Sequence, residues 1–281
     1  PGDALLQERT FANEEQRLEQ QRVYEENHNY LKYLTNIIQF DLGTSFVYGE
    51  KKINDILGPA IPVSFALGAL SILCSLVMGL STGVLGACYQ NKWPDRVCML
   101  VALIGLSVPA FVIGPVLQKY FSLEWDLLPV AKWWHPFSKY PTGGFENLIL
   151  PTLTLAAIPA ATIARLTRSA MLEALNQDYM KTALAKGLSQ FAAALRHGLK
   201  NAILPVLSYL GPAAASVLMG SVVVEKVFNI PGLGFHLING SLNRDVEVVL
   251  GVVILYSTVL LIFNLIVDIL YSVIDPRIKS S

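Results

Sequence analysis

The sequence has 281 residues, of which 53% are hydrophobic and only 15% are charged, and its mean hydropathy is +0.48. These values exclude an ordinary soluble domain and a protein with a single membrane anchor, and they indicate a polytopic membrane protein. Because the net charge is +0, the composition gives no indication of a nucleic-acid partner.

The first 55 residues are polar and acidic, with ten Asp or Glu and six Lys or Arg. Residues 11–39 predict one or two soluble helices. The residues from Asp41 to the first apolar run contain Gly43 and Gly49, and they predict a glycine-marked turn followed by a short amphipathic lead into the membrane.

Five windows then lack any Asp, Glu, Lys or Arg: 56–91, 97–118, 147–164, 201–224 and 248–267. Each is about long enough to span, because a hydrocarbon core of roughly 30 Å needs about 20 helical residues. The sequence therefore predicts an all-α bundle with five transmembrane helices. The small residues in the first window, Gly68, Gly79, Gly83 and Gly86, predict surfaces where helices pack closely.

The basic residues predict the orientation of the chain. The loop at 165–200 contains Arg165, Arg168, Lys181, Lys186, Arg196 and Lys200 against Glu173 and Asp178. Short cytoplasmic loops collect Lys and Arg, so we expect this loop, the link near Lys92 and the C-terminal tail inside. Residues 1–55, 119–146 and 225–247 are then outside. An acidic segment outside needs an earlier span to carry it across, so we expect a preceding helix and six helices in the natural protein.

Two outer segments have compositions of interest. The loop at 119–146 predicts an ordered interfacial loop, with a substrate-facing surface as the alternative, because it contains Trp125, Pro129, Trp133, Trp134, Pro136 and Pro141. The NIPGLG stretch at 229–234 predicts a turn and a short re-entrant or capping segment, with a contribution to a gate as the alternative.

Asp268 is interpreted as the one acid inside a span. Asn264 precedes it by one helical turn, which predicts a polar contact inside the bundle. Buried carboxylates are expensive in a membrane, at roughly 2.5–3.5 kcal/mol at the midplane, so we favour pairing with an arginine such as Arg165 over a substrate contact. A proton relay would need more ionisable groups at membrane depth.

The inner loop has an apolar helical face that is interrupted by a glycine. Apolar and small residues recur at helical spacing: Met180, Ala183, Leu184, Gly187, Leu188, Phe191 and Leu195. Because glycine costs about 1 kcal/mol relative to alanine inside a helix, Gly187 predicts a break between two short helices. Spacing alone leaves two functions open, docking into a groove of another protein and lying in the plane of the membrane surface.

No residue pattern predicts catalysis or a bound cofactor. The chain lacks a phosphate-binding loop, so it has no route of this kind to ATP hydrolysis. The histidines, His28, His135, His197 and His236, have no metal-ligand spacing, and Cys74, Cys88 and Cys98 are expected to be packing residues. We therefore predict no catalytic, cofactor-binding or metal-binding site.

Several stretches resemble one family, the membrane subunits of bacterial ABC importers, and especially the first permease subunit of oligopeptide and dipeptide importers. The residues that carry the resemblance are KTALAKGL at 181–188, RHGLKNAILPVL at 196–207, PAFVIGPVL at 109–117, ARLTRSAMLEAL at 164–175, VVEKVFNIPGLG at 223–234, SLNRD at 241–245 and NLIVDILYSVIDPRIK at 264–279. Lys181 stands where the family's loop motif usually has Glu.

The resemblance implies a type I ABC importer transmembrane domain at 56–275 with a coupling loop at 169–200, an extracytoplasmic segment at 1–55 and a cytoplasmic tail at 276–281. It implies that residues 179–191 contact an ATP-hydrolysing subunit, with Ala183 and Gly187 allowing close approach and the bend. The expected contact residues are Tyr179, Lys181, Thr182, Ala183, Ala185, Lys186, Gly187, Leu188 and Phe191.

The resemblance also implies the partners: a homologous second permease, two ATP-binding subunits that hold ATP and Mg²⁺, and an extracytoplasmic peptide-binding protein. The expected location is the inner membrane of a bacterium, and the expected substrate is an oligopeptide. Dipeptide, nickel and glutathione importers of the same family remain alternatives. A self-contained channel or carrier is the alternative from a different class.

Overall fold

The computed structural model describes residues 35–45, 47–49, 51–130 and 146–274. Most of residues 11–39, the loop residues Trp133, Trp134, Pro136 and Pro141, and the tail at 276–281 lie outside the described residues. The described chain is almost entirely helical. Its helices are α1 (Ile53–Leu57), α2 (Ala60–Cys88), α3 (Trp93–Ser107), α4 (Ala110–Leu117), α5 (Glu146–Leu175), α6 (Asp178–Ala185), α7 (Gln190–Ala193), α8 (Leu199–Val227), α9 (Leu233–Leu242) and α10 (Val246–Ile274).

Four continuous helical stretches are long and apolar enough to cross a membrane: α2, α5, the run Gln190–Val227 that ends with α8, and α10. The window at 97–118, which we expected to form one continuous span, is instead part of two arms, α3 and the run Ala110–Glu124 that begins with α4, and these arms meet at a 110° bend. The cause is Pro109. A proline disfavours the helical conformation of the preceding residue, and Val108 is extended at φ −98° and ψ 120°. Among the described residues there are then up to five spans, if this bent pair counts as one.

Helix α5 lies at the centre of the bundle and packs most extensively on α2, with α8 and α3 as further neighbours. Two glycines of α2 allow the close approach. A Cβ at Gly79 would lie 2.6 Å from the Cβ of Ile163, and a Cβ at Gly83 would lie 2.6 Å from the Cβ of Thr167. The prediction of glycine packing surfaces is confirmed at these two positions, whereas Gly68 has only an ordinary contact with Val217.

The turn before α1 is held on the start of α10 by a buried carboxylate. Gly43 has φ +87° and Gly49 has φ +67°, which confirms the predicted glycine-marked turn. The buried Ser45 hydroxyl donates to the Asp245 carboxylate, and the Val248 N–H donates to the other oxygen of that carboxylate at 3.4 Å. Asp245 therefore caps α10 and fixes the turn at the same time.

We expect the α2–α5 contact to depend on the absence of a side chain at Gly79. The Gly79→Ala substitution should lower the free energy of unfolding by about 1–3 kcal/mol, because the added methyl group overlaps Ile163 and the Ala160 carbonyl. Thermal unfolding of the detergent-solubilised protein measures this effect. Gly68→Ala is the matched control on the same helix, and an equal loss from both variants would contradict the packing argument.

Candidate functional site

The chain bends between α6 and α7, in a segment that we call the knee (residues 178–193). Gly187 has φ +90°, in the left-handed region. Its N–H donates to the Leu184 carbonyl at 2.9 Å, and the Leu188 N–H donates to the Ala183 carbonyl at 3.3 Å. This pair of bonds is a Schellman motif, the usual glycine-dependent end of a helix. The predicted break at Gly187 is confirmed.

Side chains inside the knee hold its two arms together. Met180, Ala183 and Ala193 are buried against one another, and Leu188 packs on this cluster. Ser189 begins the second arm, since its hydroxyl accepts the Ala192 N–H at 3.3 Å. The knee therefore has its own small core.

The knee is joined directly to α8, the span that precedes the last one. The Asn201 side-chain amide of α8 donates to the Tyr179 hydroxyl of α6 at 2.9 Å. After α7 the chain continues through a π-helical turn, Ala194–Gly198, into α8 without a loop. The knee is therefore connected to α8 by chain continuity and a hydrogen bond, and it also contacts α5, whose last residue Leu175 packs on its buried cluster.

The outer surface of the knee exposes apolar side chains. Tyr179, Leu184 and Phe191 are 41%, 42% and 47% exposed. Lys181 forms an exposed ion pair with Asp178 at 2.8 Å. Of the residues expected at a contact surface, seven are exposed: Tyr179, Lys181, Thr182, Ala185, Lys186, Gly187 and Phe191.

Two of the expected contact residues are placed differently. Ala183 is buried inside the knee, and Leu188 is half-buried against it. The reason is the Schellman motif, which brings the residue after its glycine onto the helix turn that contains Ala183. The Ala183 side chain supports the bend and does not face outward. Leu184, which the sequence placed on the apolar face, is exposed, whereas Ala183 is buried.

At the opposite end of α8 lies a buried carboxylate, Glu225, that no sequence pattern indicated. Glu225 is fully buried, and the Ser64 hydroxyl of α2 donates to its Oε1 at 2.6 Å. Its Oε2 accepts the N–H groups of Gly234 at 2.7 Å and Phe235 at 3.2 Å. The Ser64 oxygen also accepts the Leu233 N–H at 2.8 Å. The first three N–H groups of α9 are thus bound by side chains of α2 and α8.

This arrangement gives hydrogen-bond partners to two kinds of buried polar group at once, the Glu225 carboxylate and the N–H groups at the start of α9. The first N–H groups of a helix have no partner within the helix, and the helix dipole favours a negative charge beside them. A carboxylate in a membrane bundle needs such hydrogen bonds to offset its burial. Two glycines allow the approach: a Cβ at Gly232 would lie 2.4 Å from Glu225 Oε2, and one at Gly234 would lie 2.4 Å from Val222 Cα.

The structure corrects the interpretation of Asp268. It is not the one acid inside a span, because Glu225 lies inside α8 and the buried Asp95 lies inside α3. Asp268 itself is exposed, and in the described chain no hydrogen bond or ion pair joins it to Asn264 or Arg165. Asn264 instead faces α8, with its Oδ1 2.8 Å from where a Cβ would lie at Gly211.

The bundle does contain an ion pair between an acid and an arginine, but the pair is Asp95 with Arg168 and not Asp268 with Arg165. Arg168 of α5 donates from Nε to Asp95 Oδ1 at 2.6 Å and from Nη2 to Oδ2 at 2.7 Å. The Asn91 N–H donates to Oδ2 at 2.9 Å. This bidentate pair fixes the start of α3 on α5. Among the described residues, no group of three or more His, Cys, Asp or Glu is placed to hold a metal ion.

Comparisons with known proteins agree with a transport role. The family model described as "Binding-protein-dependent transport system inner membrane component" matches residues 75–280. The dipeptide transport system permease protein DppB of Bacillus subtilis is 42% identical over 89% of this chain and 78% of that protein. The oligopeptide transport system permease protein OppB of Haemophilus influenzae is 40% identical over 89% of this chain and 79% of its own length.

A third relative is the glutathione transport system permease protein GsiC of Escherichia coli, which is 38% identical over 90% of this chain and 79% of its own length. Among solved structures, an inward-facing MetNI methionine ABC transporter chain matches with a TM-score of 0.63 and 16% identity, over 78% of this chain and 96% of that one. A chain of an amino acid ABC transporter matches with a TM-score of 0.57 and 15% identity, over 78% and 94%. The fold is that of a type I ABC importer transmembrane domain.

We expect Glu225→Ala to release the start of α9. The substitution leaves two buried N–H groups without an acceptor, which should lower the free energy of unfolding by about 3 kcal/mol. Hydrogen exchange at Gly234 and Phe235 should become faster than in the unmodified protein. Glu173→Ala, at an exposed acid of α5, is the control and should change neither quantity. Unchanged exchange in Glu225→Ala would show that the carboxylate does not hold this helix.

Proposed function

Since the chain belongs to the binding-protein-dependent transport system inner membrane components and is a permease subunit of an ABC importer, we propose that it carries oligopeptides across the inner membrane of a bacterium. It does so together with a homologous second permease. One of two ATP-binding subunits binds the knee on the cytoplasmic side, and an extracytoplasmic peptide-binding protein delivers the substrate on the other side.

The observation that carries the coupling role is the outward display of apolar side chains on a folded knee. Tyr179, Leu184 and Phe191 project from two arms that are held together by a separate buried cluster. A short helix with apolar anchors suits a groove on another protein. A helix lying on the membrane surface favours one continuous apolar face, which the break at Gly187 interrupts.

The proposed mechanism uses ATP and Mg²⁺ that are bound by the partner subunits, because this sequence contains no phosphate-binding loop. Closure of the two ATP-binding subunits displaces the knee. The knee is joined to α8 by the Asn201–Tyr179 hydrogen bond and by the π-helical turn, so α8 moves with it. The bundle then alternates between inward-facing and outward-facing arrangements relative to the second permease.

The names of the relatives support a peptide substrate. They describe permeases for dipeptides, oligopeptides and glutathione, which all contain peptide bonds. These relatives are similar to the chain by nearly the same degree, so the preference for oligopeptides rests on the sequence resemblance. A nickel, dipeptide or glutathione importer of the same architecture is the second candidate.

The coupling role predicts different outcomes for two substitutions at Gly187. A Cβ at this position meets no atom within 4 Å, so a substitution tests the backbone conformation and not the packing. Valine should abolish ATP-dependent uptake, because a left-handed conformation costs about 1–2 kcal/mol for an L-residue and more for a β-branched one. Asparagine, which tolerates this conformation, should retain most of the uptake.

The measurement is uptake of a labelled oligopeptide into vesicles that contain the full-length protein, its sister permease, the ATP-binding subunits and the binding protein. Binding of the ATP-binding subunits to each variant is measured in parallel. Normal uptake by Gly187→Val would refute the coupling role, and uptake without the ATP-binding subunits would favour a self-contained carrier. Competition by nickel but not by peptides would keep the architecture and change the substrate.

A further inference from the structure

A cleft of about 520 Å³ lies between α3 and α5 near the end of the bundle that carries the knee. This volume is in the range of ligand pockets. The positive-inside rule assigns this end to the cytoplasmic surface of the membrane. The side chains that line the cleft are Met99, Thr162, Arg165, Leu166, Arg168 and Ser169. We propose that this cleft binds the phosphate group of an anionic phospholipid from the cytoplasmic leaflet.

The cleft contains positive charge and free hydrogen-bond donors. Arg165 is exposed, and within the described chain its guanidinium takes part in no hydrogen bond or ion pair. The Arg168 charge is balanced by Asp95, which accepts hydrogen bonds from Nε and Nη2. Among the described residues, Arg168 Nη1 has no hydrogen-bond partner. The Ser169 hydroxyl, one turn after Arg165, also has no hydrogen-bond partner among the described residues. The site therefore has a net positive charge and three groups with free hydrogen-bond donors: the Arg165 guanidinium, Arg168 Nη1 and the Ser169 hydroxyl.

These donors are held in place by the surrounding helices. Positions 162, 165, 166 and 169 share one face of α5, since residues three and four apart are neighbours on a helix. The bidentate contact with Asp95 fixes the Arg168 guanidinium relative to α3. The nearest acid along this face of α5 is Glu173, which is two turns beyond Arg165, about 12 Å along the axis. An anion is therefore the chemical class that this cleft favours.

An apolar ridge continues from the donors toward the middle of the membrane, and this favours a lipid over a soluble anion. Helix α3 begins near the same surface with Trp93 and runs inward. Met99 lines the cleft, and Leu103, one turn deeper on the same face of α3, is 57% exposed. A phospholipid has this order of groups, with a phosphate at the surface and acyl chains below it. Basic pockets between transmembrane helices on the cytoplasmic side bind such headgroups.

The test compares spin-labelled phosphatidylglycerol with spin-labelled phosphatidylcholine on the full-length permease, assembled with its sister permease and ATP-binding subunits. The quantity measured is the relative association constant of the two lipids at high salt, where attraction to exposed surface charges is screened. We expect the unmodified protein to prefer phosphatidylglycerol. Arg165→Gln should reduce this preference about fivefold, because one basic residue contributes about 1 kcal/mol to binding an anionic lipid.

Arg196→Gln is the matched control, because it removes one exposed charge from the same end of the bundle but outside the cleft. It should leave the high-salt preference unchanged. Arg165→Lys, which keeps the charge, should retain most of the preference. Thermal unfolding confirms that each variant is folded, and Ser169→Ala, expected to give a smaller reduction, replaces Arg165→Gln if that variant does not fold.

Four results would overturn the proposal. The first is an unchanged preference in Arg165→Gln, and the second is an equal loss in Arg196→Gln, which would mean diffuse surface attraction. Displacement of the labelled lipid by excess inorganic phosphate would identify a site for soluble anions. Displacement by a peptide with a free C-terminal carboxylate, but not by its amidated form, would place the cleft in the substrate pathway.

Discussion

The end of the bundle opposite the knee depends on one buried carboxylate. Glu225 binds the first N–H groups of α9, and it lies where α2 and α8 meet this short helix. A membrane offers no water to an unpaired polar group, so a carboxylate at this position requires its donors and the helix start requires its acceptor. Each satisfies the other. The two glycines at the start of α9 follow from this requirement, because a side chain at either would separate the partners.

The end of the bundle near the knee depends on a second polar contact and on close helix packing. Asp95 and Arg168 join α3 to α5, while Gly79 and Gly83 let α2 lie directly on α5. The three helices therefore form one packed unit near the knee. The knee itself continues into α8, and its hydrogen bond from Asn201 is also to α8. The knee is also attached to this packed unit, because Leu175 at the end of α5 packs on its buried cluster.

Features that follow from local physics could be predicted from the sequence, and features that depend on distant partners could not. Hydropathy indicated the spans, and a glycine in a helical pattern indicated the break at Gly187. The Val108–Pro109 bend was missed because an uncharged window does not report helix direction, although Pro109 was a visible signal. Glu225 was missed because its donors come from another helix, and because the uncharged window ended at Val224, one residue before it.

The error about Asp268 has a related cause. The cost of an acid in an apolar run depends on its depth in the membrane and on the groups that its side chain faces, and the sequence does not show which face of the helix is turned inward. Helix α10 packs mainly on α8 and α9, and the face that carries Asp268 is exposed. The acid that does need a partner at the inner end is Asp95, in the first turn of α3.

Helix α8 links the two ends of the molecule, because it continues from the knee and carries Glu225 in its last turn. Its 29 residues extend about 43 Å, enough to cross the membrane. Pro205 and Pro212 lie inside it, and each removes one backbone hydrogen bond, so α8 bends more readily there than an uninterrupted helix would. In the proposed mechanism the part of α8 next to the knee follows the knee, while the part that carries Glu225 stays bound to α2 and α9. A helix that bends at its prolines lets one end move while the other stays in place, which is what alternating access requires of the element that joins the two sides.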